Sequence, residues 1–491
     1  MSESDEIRHD DGRVELRAPE QLTSSPLYNH DLAPVAVAQR NWSTWDYAAL
    51  WISMAHCIPT YTLASSMIAQ GLAWWQALTA ILIGNLIVLA PILLNSHPGT
   101  KYGIPFPVFA RAAYGTSGAN LPALMRALIA CGWFGINAWI GGAALQVFFV
   151  AIWPGWADVL GRGIYPVDNF QNTQWISFGL FWLLNIVIIF RGMELLRRIE
   201  RFAAPYVLVM TAVLVAWALN KAGGLGPILE RSSFEPTKPG VTVWSVLIPA
   251  LTGTIAFWST LSLNMPDFTR FGRSQKEQAL GQTVALPSTM TVFAAMGIMI
   301  TSATAVIYGA PISDPIELGA KFESRLIVGI AMFTAVIATL AVNIAANVVS
   351  PANDFANAFP KKIDFKRGGL ITGVLGVAML PWELLKDPNR YINGWLGGYG
   401  AALGSIGGVL IIDYWVIRKK ELDLKSLYVT DGAYRYTNGW NMAAVIATVV
   451  GAGIALLGAF FEPMKPIYDW SWFVGFGLSA GIYYALMKKQ A

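Results

Sequence analysis

The sequence predicts an all-α protein that crosses a membrane twelve times, and three observations predict it. Hydrophobic residues make up 55% of the chain and charged residues 13%, against about 25% charged in an ordinary soluble domain. Apolar runs long enough to span a bilayer as helices recur from one end of the chain to the other. Basic residues gather in every second connection, as they do when loops alternate between the two faces of a membrane.

Residues 1–43 are polar, mixed in charge and interrupted by Pro19, Pro26 and Pro34. They lack the basic start and apolar centre of a cleavable signal, so they read as a mostly disordered cytoplasmic tail. Spans are expected at 47–69, 74–95, 121–151, 174–191, 203–220, 242–264, 284–308, 326–354, 369–386, 391–416, 440–460 and 470–487. With both termini on one side, that side holds 25 of the 34 Lys and Arg, so the positive-inside rule puts both termini in the cytoplasm. Arg197, Arg198 and Arg201 after the fourth span, Arg418, Lys419 and Lys420 after the tenth, and Lys488 and Lys489 at the end all belong to it. The longest connections, around 221–241 and 417–439, are too short to fold alone. Cys57 and Cys131 fall inside apolar runs, so neither suggests a disulfide or a metal site.

Two spans carry helix breakers. The first reads "WISMAHCIPTYTLASS", with His56 and Cys57 just before Pro59, which suits a simple kink or a functional break. The sixth reads "LTGTIAFWSTLSLNMPDFTRF", with Gly253 early, Phe257 and Trp258 central, and Asn264, Pro266 and Asp267 beyond. These are corresponding members of a first five and a second five, and paired interruptions point to the midplane site of a transporter. On the third span, "GWFGINAWIGG" puts the Trp133 indole and the Asn137 amide on one helix face. That pair suits a Gly-rich helix contact with one buried polar residue, or a wall and an edge for a flat ring. On the eighth, Asn343 and Asn347 share a face, and an amide at that depth must find a partner or a ligand.

No Asp or Glu is expected deep in a span. Asp267, Asp354, Glu383 and Asp413 fall near span ends, where snorkelling or facing a loop is the default. His56 is the only ionisable side chain expected near mid-membrane beside these groups. Indoles and amides without an acid–base pair, nucleophile dyad or metal cluster point away from an enzyme. They point to recognition of a neutral, planar, hydrogen-bonding solute. A channel would need polar or charged rings along a pore, and only isolated amides around one level are present.

The stretches "AALWISMAHCIPTY", "KYGIPFPVFARAAYG", "GWFGINAWIGG", "FWSTLSLNMPDFTRFGRSQKEQALGQ", "NIAANVVSPANDFANAFPKKIDFKRGG" and "IIDYWVIRKKELDLKSLY" together resemble the nucleobase–cation symporter family 1, in order, from about residue 27 to the end. The resemblance implies a LeuT-like fold. Two inverted five-helix repeats at 44–222 and 223–416 would precede a cytoplasmic loop at 417–439, two further helices in 440–487 and a cytoplasmic end at 488–491. It also implies secondary active import of uracil, allantoin or a hydantoin across the plasma (inner) membrane. The transporter would be a monomer in lipid, with a coupling ion but no cofactor and no nucleic-acid partner.

By the same resemblance, Trp133 and Trp258 would sandwich the heterocycle with Phe257 beside them. Asn137 and Asn347 would bind its edge, and Cys57 with adjacent His56 would contact it from the first span. A sodium ion would be held by carbonyls of Ser53, His56 and Ala338 and by the hydroxyls of a Ser–Thr pair, which falls here on Ala341 and Val342. Neither of those side chains can coordinate a cation. Proton coupling or a facilitated mode is therefore expected, with His56 either the titrating group or a structural His bonded to a backbone carbonyl; the alternative is a sodium-coupled purine or hydantoin symporter.

Overall fold

The computed structural model describes residues 5–161, 172–385 and 394–488. The expected span edges at 386 and 391, the first four residues of the tail, and Lys489 with the rest of the C-terminal end beyond Lys488 lie outside the described residues.

The tail departs from expectation at once. β1 (Glu6–Arg8) and β2 (Val14–Leu16) pair antiparallel, with Glu6 opposite Leu16. Val14, Leu22 and Leu32 are almost wholly buried. The Arg40 guanidinium donates to the carbonyls of Val14 (2.8 Å), Val35 (2.9 Å) and Thr100 (3.0 Å). The Asn29 amide donates to the Pro360 carbonyl at 2.8 Å, and the Tyr428 hydroxyl to the Leu32 carbonyl at 2.7 Å. From residue 5 onward the segment is therefore a packed layer, not a disordered tail. Its apolar residues are too scattered to show a period, and the connections of the helical bundle supply the surface that covers them.

The first expected span is two helices, α1 (Thr44–Ala55) and α2 (Ile58–Ala69), parted by non-helical backbone at His56 and Cys57. Pro59 sits in the first turn of α2, where a missing N–H leaves nothing unpaired. The Thr60 hydroxyl donates to the Ala55 carbonyl at 2.8 Å, satisfying one group the break orphans. Next come α3 (Trp74–Tyr102), α4 (Phe106–Tyr114), α5 (Asn120–Ile152), α6 (Thr173–Ile189), α7 (Met193–Ala222) and the short α8 (Pro227–Glu230). The second interruption parts α9 (Val243–Phe257) from α10 (Ser259–Asn264) at Trp258, with α11 (Pro266–Thr269) beyond.

After α12 (Gln275–Tyr308) and α13 (Pro315–Ala320) comes a break that the sequence analysis does not anticipate. It separates α14 (Arg325–Asn347) from α15 (Val349–Ala358) at Val348. The chain continues through α16 (Phe365–Ala378), α17 (Pro381–Leu384) and α18 (Gly397–Ile411) with a π-helical turn over Ile412–Ile417, then α19 (Met442–Leu456), α20 (Lys465–Asp469) and α21 (Ser471–Lys488). Each expected span thus falls on a helix or a broken pair. Among the described residues, 7 helices are long and apolar enough to cross a membrane, and Thr173–Ile189 and Val243–Phe257 are apolar but shorter.

α1 lies against α12, α7 and α14, while α5 runs along α14, α15 and α16. Gly135 of the third span serves the contact with α16, while Gly141 and Gly142 make room for Phe181 and Phe178 of α6. A Cβ on Gly135 would come within 2.2 Å of the Gly376 carbonyl oxygen, so only glycine lets α5 and α16 touch backbone to backbone.

Two expectations about charge fail. Asp267, Asp354 and Asp413 are at most 1% exposed and do not face loops; Glu383 is half-buried on α17. Asp267 accepts from the Phe106 N–H (3.1 Å) and the Asn353 amide (3.0 Å). Asp413 accepts from Arg418 (2.7 Å) and from the Tyr483 hydroxyl (2.7 Å). Neighbouring elements bring internal donors to these span ends, which replaces snorkelling to water. The other failure is Glu200. Because α7 begins at Met193 and not at 203, Glu200 lies inside a membrane-length helix, 3% exposed.

Candidate functional site

All three breaks meet one small cavity of about 30 Å³. Cys57 comes from the first break, Phe257 and Trp258 from the second, and Asn347 is the last residue before the third. Trp133 and Asn137 reach the cavity from α5, so the indole and amide of "GWFGINAWIGG" do share a face and do line one space with the other four.

The walls are aromatic. Phe257 stands edge-on to both indoles, with ring centroids 5.4 Å from Trp133 and 4.9 Å from Trp258. Trp51 of α1 backs Trp258 edge-on at 5.2 Å. The Trp133 indole N–H donates to the Tyr399 hydroxyl of α18 at 3.3 Å, which fixes the plane of the ring.

The edge is polar and incompletely satisfied. Asn137 donates from Nδ2 to the Trp133 carbonyl at 3.1 Å, but its Oδ1 is buried without a hydrogen-bond partner, and so is Nε1 of Trp258. One unpaired acceptor and one unpaired donor therefore belong to residues lining the same cavity, whereas buried polar atoms are almost always paired. A ring carrying both N–H and C=O groups could use them. Asn347 is steadied by a relay: its Nδ2 donates to Asn343 Oδ1 (3.1 Å), whose Nδ2 donates to Asn185 Oδ1 (3.2 Å). At about 30 Å³ the cavity holds about one water, so a ring enters only when the aromatic walls separate.

His56 is elsewhere. With Ala338 it lines a second, larger cavity of about 400 Å³ between α2, α7, α13 and α14. Its Nε2 is 2.5 Å from the Thr211 hydroxyl and 3.2 Å from that of Tyr61, and Phe293 packs on its ring at 4.6 Å. Thr211 gives its own hydrogen to the Val207 carbonyl (2.8 Å), so His56 donates through Nε2, which fits a neutral ring. Cys57 lines both cavities, whereas His56 lines only the larger.

The other residues nominated for a cation are spread out. Ala338 lines the larger cavity and Val342 the smaller, Ala341 is fully buried, and the Ser53 hydroxyl faces Glu200. Sequence reasoning misses Asn185, Tyr399 and Trp51. Asn185 and Tyr399 are each visible as a lone polar side chain in an apolar or Gly-rich run, "LLNIVII" and "GGYG". Nothing local ties them to Asn343 or Trp133.

Residues 34–475 match the family described as permeases for cytosine/purines, uracil, thiamine and allantoin. The allantoin permease of Bacillus subtilis (strain 168) is 41% identical over 468 residues, spanning 95% of this chain and 94% of that one. The purine-uracil permease NCS1 of Arabidopsis thaliana is 40% identical over 476 residues, spanning 94% and 78%. Among solved structures, Mhp1, a nucleobase-cation-symport-1 family transporter in a closed conformation with bromovinylhydantoin bound, matches with a TM-score of 0.79. The identity is 24% over 94% of this chain and 95% of that one, a likeness of fold.

Proposed function

Since the chain belongs to the family of permeases for cytosine/purines, uracil, thiamine and allantoin and shares the LeuT-like fold of Mhp1, we propose that it imports a neutral, planar heterocycle of the uracil, allantoin or hydantoin type across the plasma (inner) membrane. The observation that carries this reading is the small cavity with aromatic walls and two unpaired polar atoms. Trp133 and Trp258 are the stacking faces, and stacking on an aromatic side chain contributes about 1–3 kcal/mol per ring. Asn137 Oδ1 accepts a ring N–H, and the Asn347 amide completes the edge. A solute lacking the matching groups would leave these atoms unpaired and be rejected.

Entry of a ring requires the walls to separate, and the breaks at His56–Cys57 and Trp258 are where the helices can hinge. Transport is then alternating access. In this reading the chain crosses the membrane twelve times, as inverted repeats at 44–222 and 223–416, a loop at 417–439 and two more helices in 440–487. Both termini are cytoplasmic and the working unit is a monomer. The coupling ion is a proton, because Ala341 and Val342 offer no oxygen to complete a sodium shell, and carbonyls of Ser53, His56 and Ala338 alone would leave the ion under-coordinated.

Uptake competition and thermal shift with allantoin, uracil and hydantoin test the substrate class, allantoin first because the 41%-identical relative is an allantoin permease. At least one is expected both to compete and to raise the melting temperature; if none does either, the reading is wrong. Coupling is tested in proteoliposomes, where a pH gradient is expected to drive accumulation. Stimulation by sodium alone would reverse that part.

A further inference from the structure

Glu200 is a buried carboxyl group whose polar neighbour is a serine hydroxyl and not an arginine or lysine. It lies on α7 and is 3% exposed. The polar group that faces it is the buried Ser53 hydroxyl of α1, three residues before the break at His56, which can donate to one carboxylate oxygen. The charges around it are all engaged or distant. On α1, Asp46 accepts from Arg197 Nε at 2.8 Å and from Arg201 Nε at 2.6 Å, both of them α7 residues flanking Glu200. Tyr47 follows Asp46, and His56 is bonded to Thr211 and Tyr61. α12 carries Lys276 and Glu277 in its first turn and Tyr308 at its end; α14 carries Arg325 at its first residue; α6 carries no ionisable side chain.

A carboxylate inside an apolar helix packing with a serine hydroxyl but no opposite charge beside it is costly, so Glu200 needs either a proton or an arginine. In this arrangement both nearby arginines are held by Asp46. We propose that Glu200 is the site that carries the coupling proton, and that Asp46 and Glu200 compete for Arg197 and Arg201 across the contact between α1 and α7. This rests on the proton-coupled reading above and names its binding group. A proton from the outer solution adds to the Glu200 carboxylate while α1 and α7 are joined through Asp46. When α1 swings at its break and Asp46 lets go, an arginine pairs with Glu200 and the proton leaves to the cytoplasm. Return of that arginine to Asp46 leaves the carboxylate unpaired and ready to take the next proton. His56, nominated from the sequence, already has two hydroxyl partners and lines the other cavity.

Glu200→Gln in proteoliposomes tests this, with lumenal pH read by a dye and labelled allantoin or uracil as substrate. The variant is expected to lose pH-gradient-driven accumulation by about ten-fold or more and to lose substrate-evoked proton movement. It should still exchange labelled for unlabelled substrate at equal pH on both sides, and Glu200→Asp should restore proton movement. Wild-type accumulation and proton movement in Glu200→Gln overturn the assignment. Loss of exchange in both variants also overturns it, since Glu200 is then a structural residue. If the wild-type protein itself moves no protons and responds to sodium alone, the proton-coupled reading falls and the assignment with it. Proton movement in the wild type that Glu200→Gln leaves intact removes only Glu200.

Discussion

The two cavities on either side of the first break differ in a way that separates volume from function. The larger, about 400 Å³, is lined mainly by apolar side chains, several of them half-exposed on the outer surface, such as Val213, Ile327 and Ile330. Its polar lining includes His56, Tyr61 and Thr211, with His56 Nε2 bonded to both hydroxyls, and Thr334 and Thr339 of α14. The smaller, about 30 Å³, has two indoles, two amides and two polar atoms left over. Room is cheap where helices pack loosely against lipid. An unpaired buried donor and acceptor cost stability in the empty protein and are retained where a ligand satisfies them.

Four groups of substitutions would break or sharpen that contrast. The largest effect is expected from Trp133→Ala or Trp258→Ala, each of which removes a stacking face worth about 1–3 kcal/mol. Saturable uptake should be lost with the protein still in the membrane, and wild-type affinity in both would merge the two cavities into one functional category. Asn137→Ala or Asn347→Ala should raise the half-saturation concentration by about ten-fold, the equivalent of one unmade hydrogen bond to a buried ligand. Asn137→Gln, one methylene longer, should instead reorder the preference among uracil, allantoin and hydantoin in a competition assay.

His56→Gln comes third. Its ring faces the larger cavity, so half-saturation should move by about two-fold at most, within what a core polar substitution usually does; a ten-fold rise would return His56 to the substrate. The smallest effect belongs to Ala335→Leu, which adds volume to the larger cavity. Substrate affinity should not change, and a clear loss in a binding titration would show that the larger cavity is part of the path.

Legibility in the sequence followed the range of the interaction. Trp133 and Asn137 could be paired because helical spacing is local, and the breaks at His56–Cys57 and Trp258 could be found because proline and glycine act on their own turn. The break at Val348 is marked by Pro351, three residues on, which has no N–H to give the Asn347 carbonyl, but a proline in the first turn of a helix does not by itself say that another helix ends just before it. The disordered tail was misjudged because Val14, Leu22 and Leu32 are buried by chain that lies far away in sequence. The burial of Asp267 and Asp413 is not legible locally because their partners, Phe106, Asn353 and Tyr483, belong to other elements.

By itself the sequence determined an apolar helical membrane protein, its family, and the presence of indoles and amides at broken helices, since composition, periodicity and helix breaking are properties of neighbouring residues. Tertiary structure alone decided which polar groups are left without partners. His56 finds Thr211 across 155 residues, while Asn137 finds only its own helix and Glu200 finds two arginines already held by Asp46. Whether a buried polar atom is satisfied depends on what another helix brings to it, and no local pattern in the chain encodes that.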